Sequence, residues 1–279
     1  MSFTQTGIEQ KRLPSGAKVI IYNLKKVKIH IYVAPEKSFG NATHIIETPN
    51  YLSLVDTQYQ IPYSKEFRKY ANSLNKVIAG VIISHAHPDH YFGLTSSFND
   101  VLSYALPKTI EDIKNKGPIM IQEGKKELGD LVPDHVTVPT NVLHMGDVVV
   151  DGLTFRYRKY DKAEADTQVV IELPELKTVI VQDAISNRYH PWMGNYTDNW
   201  IRMLESLKQE YKSYRLVLSG HGNPGSSGAF DRMIKYLQDV KDIIDKSGGD
   251  KKLIEERIVA AYPNYKGRHI IPMWLKYMK

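Results

Sequence analysis

The chain has 279 residues, of which 42% are hydrophobic and 24% charged, with a formal net charge of +6 and no cysteine. That length and balance fit one large soluble α/β domain with a sizeable core, and they exclude a fibre, a disordered tail and a disulfide scaffold. Without thiols any metal must rest on imidazole and carboxylate, and the scattered lysines, as in Lys25-Lys26 and Lys125-Lys126, form no basic stripe that would signal nucleic acid.

In chain order, residues 18–22 and 30–33 are short β-branched runs bounded by Gly16 and Pro35 and read as strands. Residues 42–47 and 51–55 follow as two more, joined by the turn Thr48-Pro49-Asn50. Apolar residues recur at a helical period over 63–74, and the apolar run 77–84 then ends on a polar, histidine-rich loop. Further on, 109–115 is helix-like, 136–138 reads as a strand, and 148–158 reads as two strands around the turn Asp151-Gly152. Strands over 167–173 and 178–181 flank Pro174-Glu175, and a helix over 200–210 precedes a strand at 216–219. Beyond Gly228 the pattern is helical to 242 and again over 252–260, ahead of an aromatic, basic end. No run approaches the roughly 18 to 20 apolar residues that span a bilayer, and the start MSFTQTG has neither the basic nor the apolar region of a signal peptide, so a cytoplasmic location is expected.

Ser84-His85-Ala86-His87-Pro88-Asp89-His90 places three of the chain's ten histidines and an aspartate within six positions, directly after an apolar strand. Four such side chains on one tight loop cannot all be core residues. Imidazole with carboxylate suits divalent Zn, Mn or Fe, and alternate loop residues can face two neighbouring ions.

This HxHxDH run resembles the signature of the metallo-β-lactamase superfamily, whose members fold as a four-layer αβ/βα sandwich around a one- or two-metal site. Other landmarks follow in the family's order over roughly the first 225 residues, each at a strand end. Asp56, in Leu54-Val55-Asp56-Thr57, matches the acidic residue that supports the ligands from behind, although taken alone it reads more readily as a strand-end turn residue. Asp183 matches the aspartate between the metals, and His221, in Ser219-Gly220-His221-Gly222, matches the last histidine ligand. The resemblance thus implies one domain over residues 1–279, with residues 228–279 as a helical extension packed on it.

One landmark departs. The family supplies a third histidine to the first metal about ten residues before a Leu-Pro-Glu turn; here Leu173-Pro174-Glu175 is present, and counting back ten from Pro174 reaches Glu164. A similar glutamate occurs in the alkylsulfatase branch, so the ligand role passes to Glu164 by position, with Asp166 as its rival. The implied sets are His85, His87 and Glu164 around one ion and Asp89, His90 and His221 around the other, with Asp183 between. Two divalent ions bring four positive charges, of which Glu164, Asp89 and Asp183 would cancel three, and the added oxygen ligand brings Mn or Fe closer to Zn, which stays the first choice.

The chemistry implied is hydrolysis of a small ester, thioester, lactone or sulfate ester by water acidified at the metals, with Asp89 both ligand and proton acceptor. Tyr91, Tyr189, His190 and Trp192 are expected around a substrate opening, the last three on an aromatic loop after Asp183 that reads equally as an anchored surface loop. The alternatives are a nuclease or phosphodiesterase of the same fold, and an inactive metal- or ligand-binding protein.

Overall fold

The computed structural model describes residues 7–278, so most of the segment read for a leader, and the last residue of the extension, lie outside the described residues. Eight strands form the first sheet, in the order in which they occur. They are β1 (Gly7–Arg12), β2 (Lys18–Leu24), β3 (Val27–Val33), β4 (Ala42–Glu47), β5 (Tyr51–Val55), β6 (Val77–Ile82), β7 (Ser103–Ala105) and β8 (Asn141–Val142). Pairing is antiparallel from β1 to β5 and parallel from β5 to β8. The parallel half needs crossovers, which are α1 (Ile61–Asn72), α2 (Pro88–Ser97) and α3 (Pro107–Leu128).

The second sheet holds β9 (Gly146–Val150), β10 (Leu153–Asp161), β11 (Thr167–Leu173), β12 (Thr178–Asn187) and β13 (Leu216–Gly222), in reverse order across the sheet. Val150 pairs with Leu153, so Asp151-Gly152 is a two-residue hairpin loop, and both residues adopt positive φ, 50° and 78°, as a turn matched to strand twist demands. Helix α4 (Thr197–Glu210) crosses from β12 to the parallel β13, and α5 (Gly228–Asp245), α6 (Lys251–Ala261) and α7 (Ile270–Leu275) complete the chain.

Three apolar cores define the layers. One joins α1, α2 and α3 to the first sheet through Phe67, Tyr91, Phe92 and Ile113; one lies between the sheets, with Ile29, Ile31, Phe155 and Ile171; one joins α4 to α7 to the second sheet through Trp200, Leu204, Phe230, Ile258 and Trp274. The result is the expected αβ/βα sandwich. The helices after residue 228 share their core with Val179, Val181 and Val217 of the second sheet.

Local differences from the sequence reading have physical causes. Residues 136–138 form no strand: Pro133 and Pro139 bracket them, removing ladder donors, and Thr137 instead donates its N–H to Thr95 Oγ1 at 3.0 Å. Helix α3 runs far beyond 115 and holds Gly117 and Pro118 inside it, where Gly117 lets Val136 pack closely. The histidine loop is cut short by α2, whose first helical residue is Pro88, preset for that place by its fixed φ.

Candidate metal centre

The parallel order of β5 and β6 brings their C-terminal ends together, so Asp56 and Ser84-His85 emerge side by side. Helix α2 carries Asp89 and His90 in its first turn. From the other sheet, β12 and β13 run parallel and contribute Asp183 and His221, while Glu164 sits at the centre of the loop between β10 and β11, whose last pair is Asp161 with Thr167. Bridges from His85 to Gln168 and from Asn41 to His221 stitch this end of the sandwich.

These elements gather two groups of side chains whose donor atoms lie within 4.8 Å of one another: His85, His87, Glu164 and Asp183, and Asp89, His90, Asp183 and His221. In the first, His87 Nδ1 is 3.3 Å from Glu164 Oε1, and His85 Nε2 is 3.6 Å from Glu164 Oε2 and 3.8 Å from Asp183 Oδ2. In the second, His90 Nε2 is 3.4 Å from Asp89 and 3.2 Å from Asp183 Oδ1, and His221 Nε2 is 3.3 Å from Asp89 and 3.1 Å from Asp183 Oδ2. Asp183 belongs to both. Glu164 belongs to the first, whereas its rival Asp166 turns away to Lys116 at 2.8 Å and to the Tyr196 hydroxyl at 3.1 Å.

The ring orientations of three histidines follow from their outer hydrogen bonds. His221 Nδ1 lies 3.0 Å from the Phe39 carbonyl, which can only accept, so Nδ1 carries the proton. His90 Nδ1 donates to Asp56 Oδ2 at 2.7 Å. Ser84 spends its own proton on Asp56, so its Oγ accepts from His85 Nδ1 at 2.9 Å. Each ring therefore presents a bare Nε2 lone pair to the site, the arrangement by which outer partners orient metal-binding imidazoles.

Several inward atoms are left without partners. His85 Nε2, His90 Nε2, Glu164 Oε2 and Asp183 Oδ1 are all buried with no hydrogen-bond partner. Orphaned buried acceptors cost about 1–3 kcal/mol each, and an imidazole nitrogen beside a carboxylate oxygen in each group fits a divalent cation. Without a cation, protons serve. Burial disfavours charge on His87, but the Glu164 carboxylate beside it prevails and lifts it to about 9; Asp183 and Asp89 likewise prevail over burial and lift His221 to about 10. His85 moves the other way, held neutral by burial and by the adjacent His90 and His87.

A family model described as the metallo-beta-lactamase superfamily matches residues 38–221, a span that contains every one of these side chains. The chain belongs to the metallo-beta-lactamase superfamily. It is 26% identical over 200 residues, 70% of its own length and 71% of the relative's, to the metallo-beta-lactamase type 2 of Bacillus sp. (strain 170). Among solved structures it resembles the metallo-beta-lactamase of Erythrobacter litoralis, with a TM-score of 0.59 at 17% identity over 83% of this chain and all of that one. The mono-zinc form of FIM-1 from Pseudomonas aeruginosa gives 0.57 at 15% identity over 84% and 96%. At those identities the structures speak for the fold alone, and the family makes the chain a metallo-hydrolase with candidate ligands for divalent metal.

Several contributors to this metallo-β-lactamase site escape sequence inspection. Gln182 donates its amide to Asp56 and accepts from buried His44 Nε2 at 2.7 Å, while its backbone bulges from β12 at φ 44° and so aims the following Asp183. Asn41 donates to Asp89 Oδ2 at 3.1 Å. Gly220 faces Asp183 so closely that a Cβ would fall 1.7 Å from Oδ1.

The four residues expected around an opening go to different places. Tyr91 is buried in the core between the helices and the first sheet. His190 is fully buried, 2.8 Å from the Tyr236 hydroxyl on α5. Tyr189 packs over Gly40 and Gly222, beside the His221 segment, and Trp192 lies partly exposed against Tyr277.

Proposed function

We propose that the chain is a hydrolase with a dinuclear centre, in which His85, His87 and Glu164 hold one divalent ion, Asp89, His90 and His221 the other, and Asp183 lies between. Zinc is the first candidate, with Mn or Fe as alternatives. The observation that carries this reading is the pair of four-membered donor groups sharing Asp183, each with a buried, unpartnered imidazole nitrogen and carboxylate oxygen. A bound pair of ions supplies Lewis acidity and lowers the pKa of water from its bulk value towards about 7. The chain's own residues do the rest. Asp56 accepts from Ser84 N–H and hydroxyl, from His90 and from Gln182, so its charge is fully engaged in fixing the rings. Asp89, held by Asn41, is the less buried of the site's two aspartates and is placed to accept a proton from an attacking water and pass it to the leaving group.

The substrate is a small ester, thioester, lactone or sulfate ester. The retention of all seven donors in one cluster supports an enzyme over an inactive binder. Elemental analysis of protein reconstituted with zinc, followed by a panel of chromogenic esters, thioesters, lactones, sulfates and phosphodiesters with a β-lactam included, tests the proposal. Two ions per chain and turnover on a carboxylic or sulfate ester are expected; exclusive turnover of phosphodiesters would make it a nuclease-type enzyme. Folded protein that takes up no divalent ion would sink it.

A further inference from the structure

A cavity of about 260 Å³ lies among the C-terminal helices and is walled by Arg188, Arg232, Tyr262 and Tyr265. Its two arginines come from separate elements. Arg188 follows the last residue of β12 and takes a left-handed backbone, φ 60°, a conformation costly for a side chain of that size; Arg232 lies near the start of α5. Arg232 Nη2 donates to Asn187 Oδ1 at 3.2 Å, but its Nε is buried and has no acceptor. Among the described residues neither guanidinium pairs with a carboxylate.

The remaining walls add no compensating negative charge. Asp239 is near, but it accepts the Tyr262 hydroxyl at 2.6 Å and is neutralised by Lys235 at 2.9 Å. Behind Tyr265 the ring of His190 packs at 5.7 Å, kept neutral near physiological pH because burial and then Arg268 push it down to about 4. Arg268 itself donates to the Pro263 carbonyl at 2.8 Å. The Tyr265 hydroxyl is raised chiefly by burial, with Arg232 and then Arg188 acting against that rise, so both guanidinium charges lie near it.

We propose that this cavity binds the phosphate or carboxylate group of a small molecule, with Arg188 and Arg232 as its charged grips and Tyr262 and Tyr265 as its walls. A planar guanidinium presents paired N–H donors that match two oxygens of such a group, and two of them without a carboxylate partner line this cavity. The cavity is below the usual size for drug-like ligands, so it suits one anionic group with a short substituent. Asn187 ties it to the metal centre: the same side chain that accepts from Arg232 donates to the Asn223 carbonyl at 2.8 Å, two residues past His221.

Isothermal titration of the purified full-length protein with inorganic phosphate, and separately with acetate, tests the site. Saturable binding of at least one probe is expected, weakened about tenfold or more by Arg188→Gln and by Arg232→Gln, since each removes a charge-assisted contact. Arg188 is exposed, so its variant folds even if Arg232→Gln does not. His87→Ala separates this site from the metals and is expected to leave the binding unchanged. Phosphate alone, acetate alone or both identify the source of the oxyanion; no saturable binding of either at millimolar concentrations, or binding lost in His87→Ala and kept in Arg188→Gln, overturns the proposal.

Discussion

Replacing Gly220 by alanine adds a single methyl group, yet that carbon would stand 1.7 Å from Asp183 Oδ1 and 3.0 Å from both its Cγ and its backbone nitrogen. Ordinary contact begins near about 3.4 Å, so something must give by more than an ångström. Two routes exist. If β13 shifts away from β12, the strain of overpacking costs about 1–3 kcal/mol, lowering the melting temperature by several degrees. If the Asp183 side chain swings aside instead, the fold is spared but the carboxylate leaves both His90 and His221, now 3.2 and 3.1 Å away. Either way Asp183 and the His221 segment are displaced relative to one another by about 1 Å or more, a misplacement that costs on the order of 100-fold in rate. Because Asp183 serves both donor groups, both metals should be lost together, whereas His87→Ala should lower occupancy of one group only. Melting curves, elemental analysis after reconstitution with zinc, and turnover on whichever substrate the panel finds read the three consequences. A Gly220→Ala protein with unchanged stability, two metals and full rate would refute the reasoning.

Glu164→Gln should lower metal content and turnover while Asp166→Asn, which touches only Lys116 and Tyr196, should leave both intact; the reverse pattern in elemental analysis would move the ligand role to Asp166. Asp56→Asn should unlock the rings of His85 and His90, reducing metal affinity about 10- to 100-fold in a competition titration, the usual range for an outer partner of a ligand. His44, fully buried and pushed down to about 4 by that burial, binds a proton in the unfolded chain below about 6.5 but not in the native one. Its contribution to stability is therefore complete above pH 6.5 and is lost as pH falls to about 4, amounting to about 3 kcal/mol over the window. Urea unfolding of His44→Gln, whose amide keeps a donor for Gln182, should show a correspondingly shallower decline between pH 7 and 4.5; parallel curves for variant and wild type would contradict it. Sub-stoichiometric zinc should fill the group of Asp89, His90 and His221 first, so that in His221→Ala, but not His87→Ala, the first equivalent binds weakly.

Much of the fold is local and was legible for that reason. The runs 42–47, 51–55 and 167–173 coincide with β4, β5 and β11, because β-branched and aromatic residues there meet turn residues at both ends. Signals failed where tertiary contacts override propensity: Gly117 and Pro118 break the pattern of α3 but not the helix, and the three-residue β7 and two-residue β8 are too short to show a period. The histidine run was legible since its ligands are neighbours in sequence. Asp183 and His221 gained meaning only through their order relative to it, and the link from His44 to Gln182 spans 138 positions with nothing local to mark it. Tyr91 looked like a pocket residue because it follows the loop, but α2 turns it into the core.

The two halves of the site differ in how far the fold has prepared them. In the second group each donor other than the shared Asp183 has an outer anchor on another element: His90 on Asp56, His221 on the Phe39 carbonyl, Asp89 on Asn41. These anchors fix ring planes and lone-pair directions before any ion arrives, so the ordering entropy of binding has already been met by folding. In the first group only His85 is so anchored, through Ser84, whereas the carboxylate of Glu164 and the ring of His87 are held chiefly by each other. Glu164 stands on a hairpin loop and His87 is the most exposed of the four histidines. On the reading proposed above, a glutamate serves at that position because nothing behind it has to orient a ring: a carboxylate needs no tautomer fixed from outside. The first group would then be the less preorganised of the two, with a metal affinity that depends on charge more than on geometry.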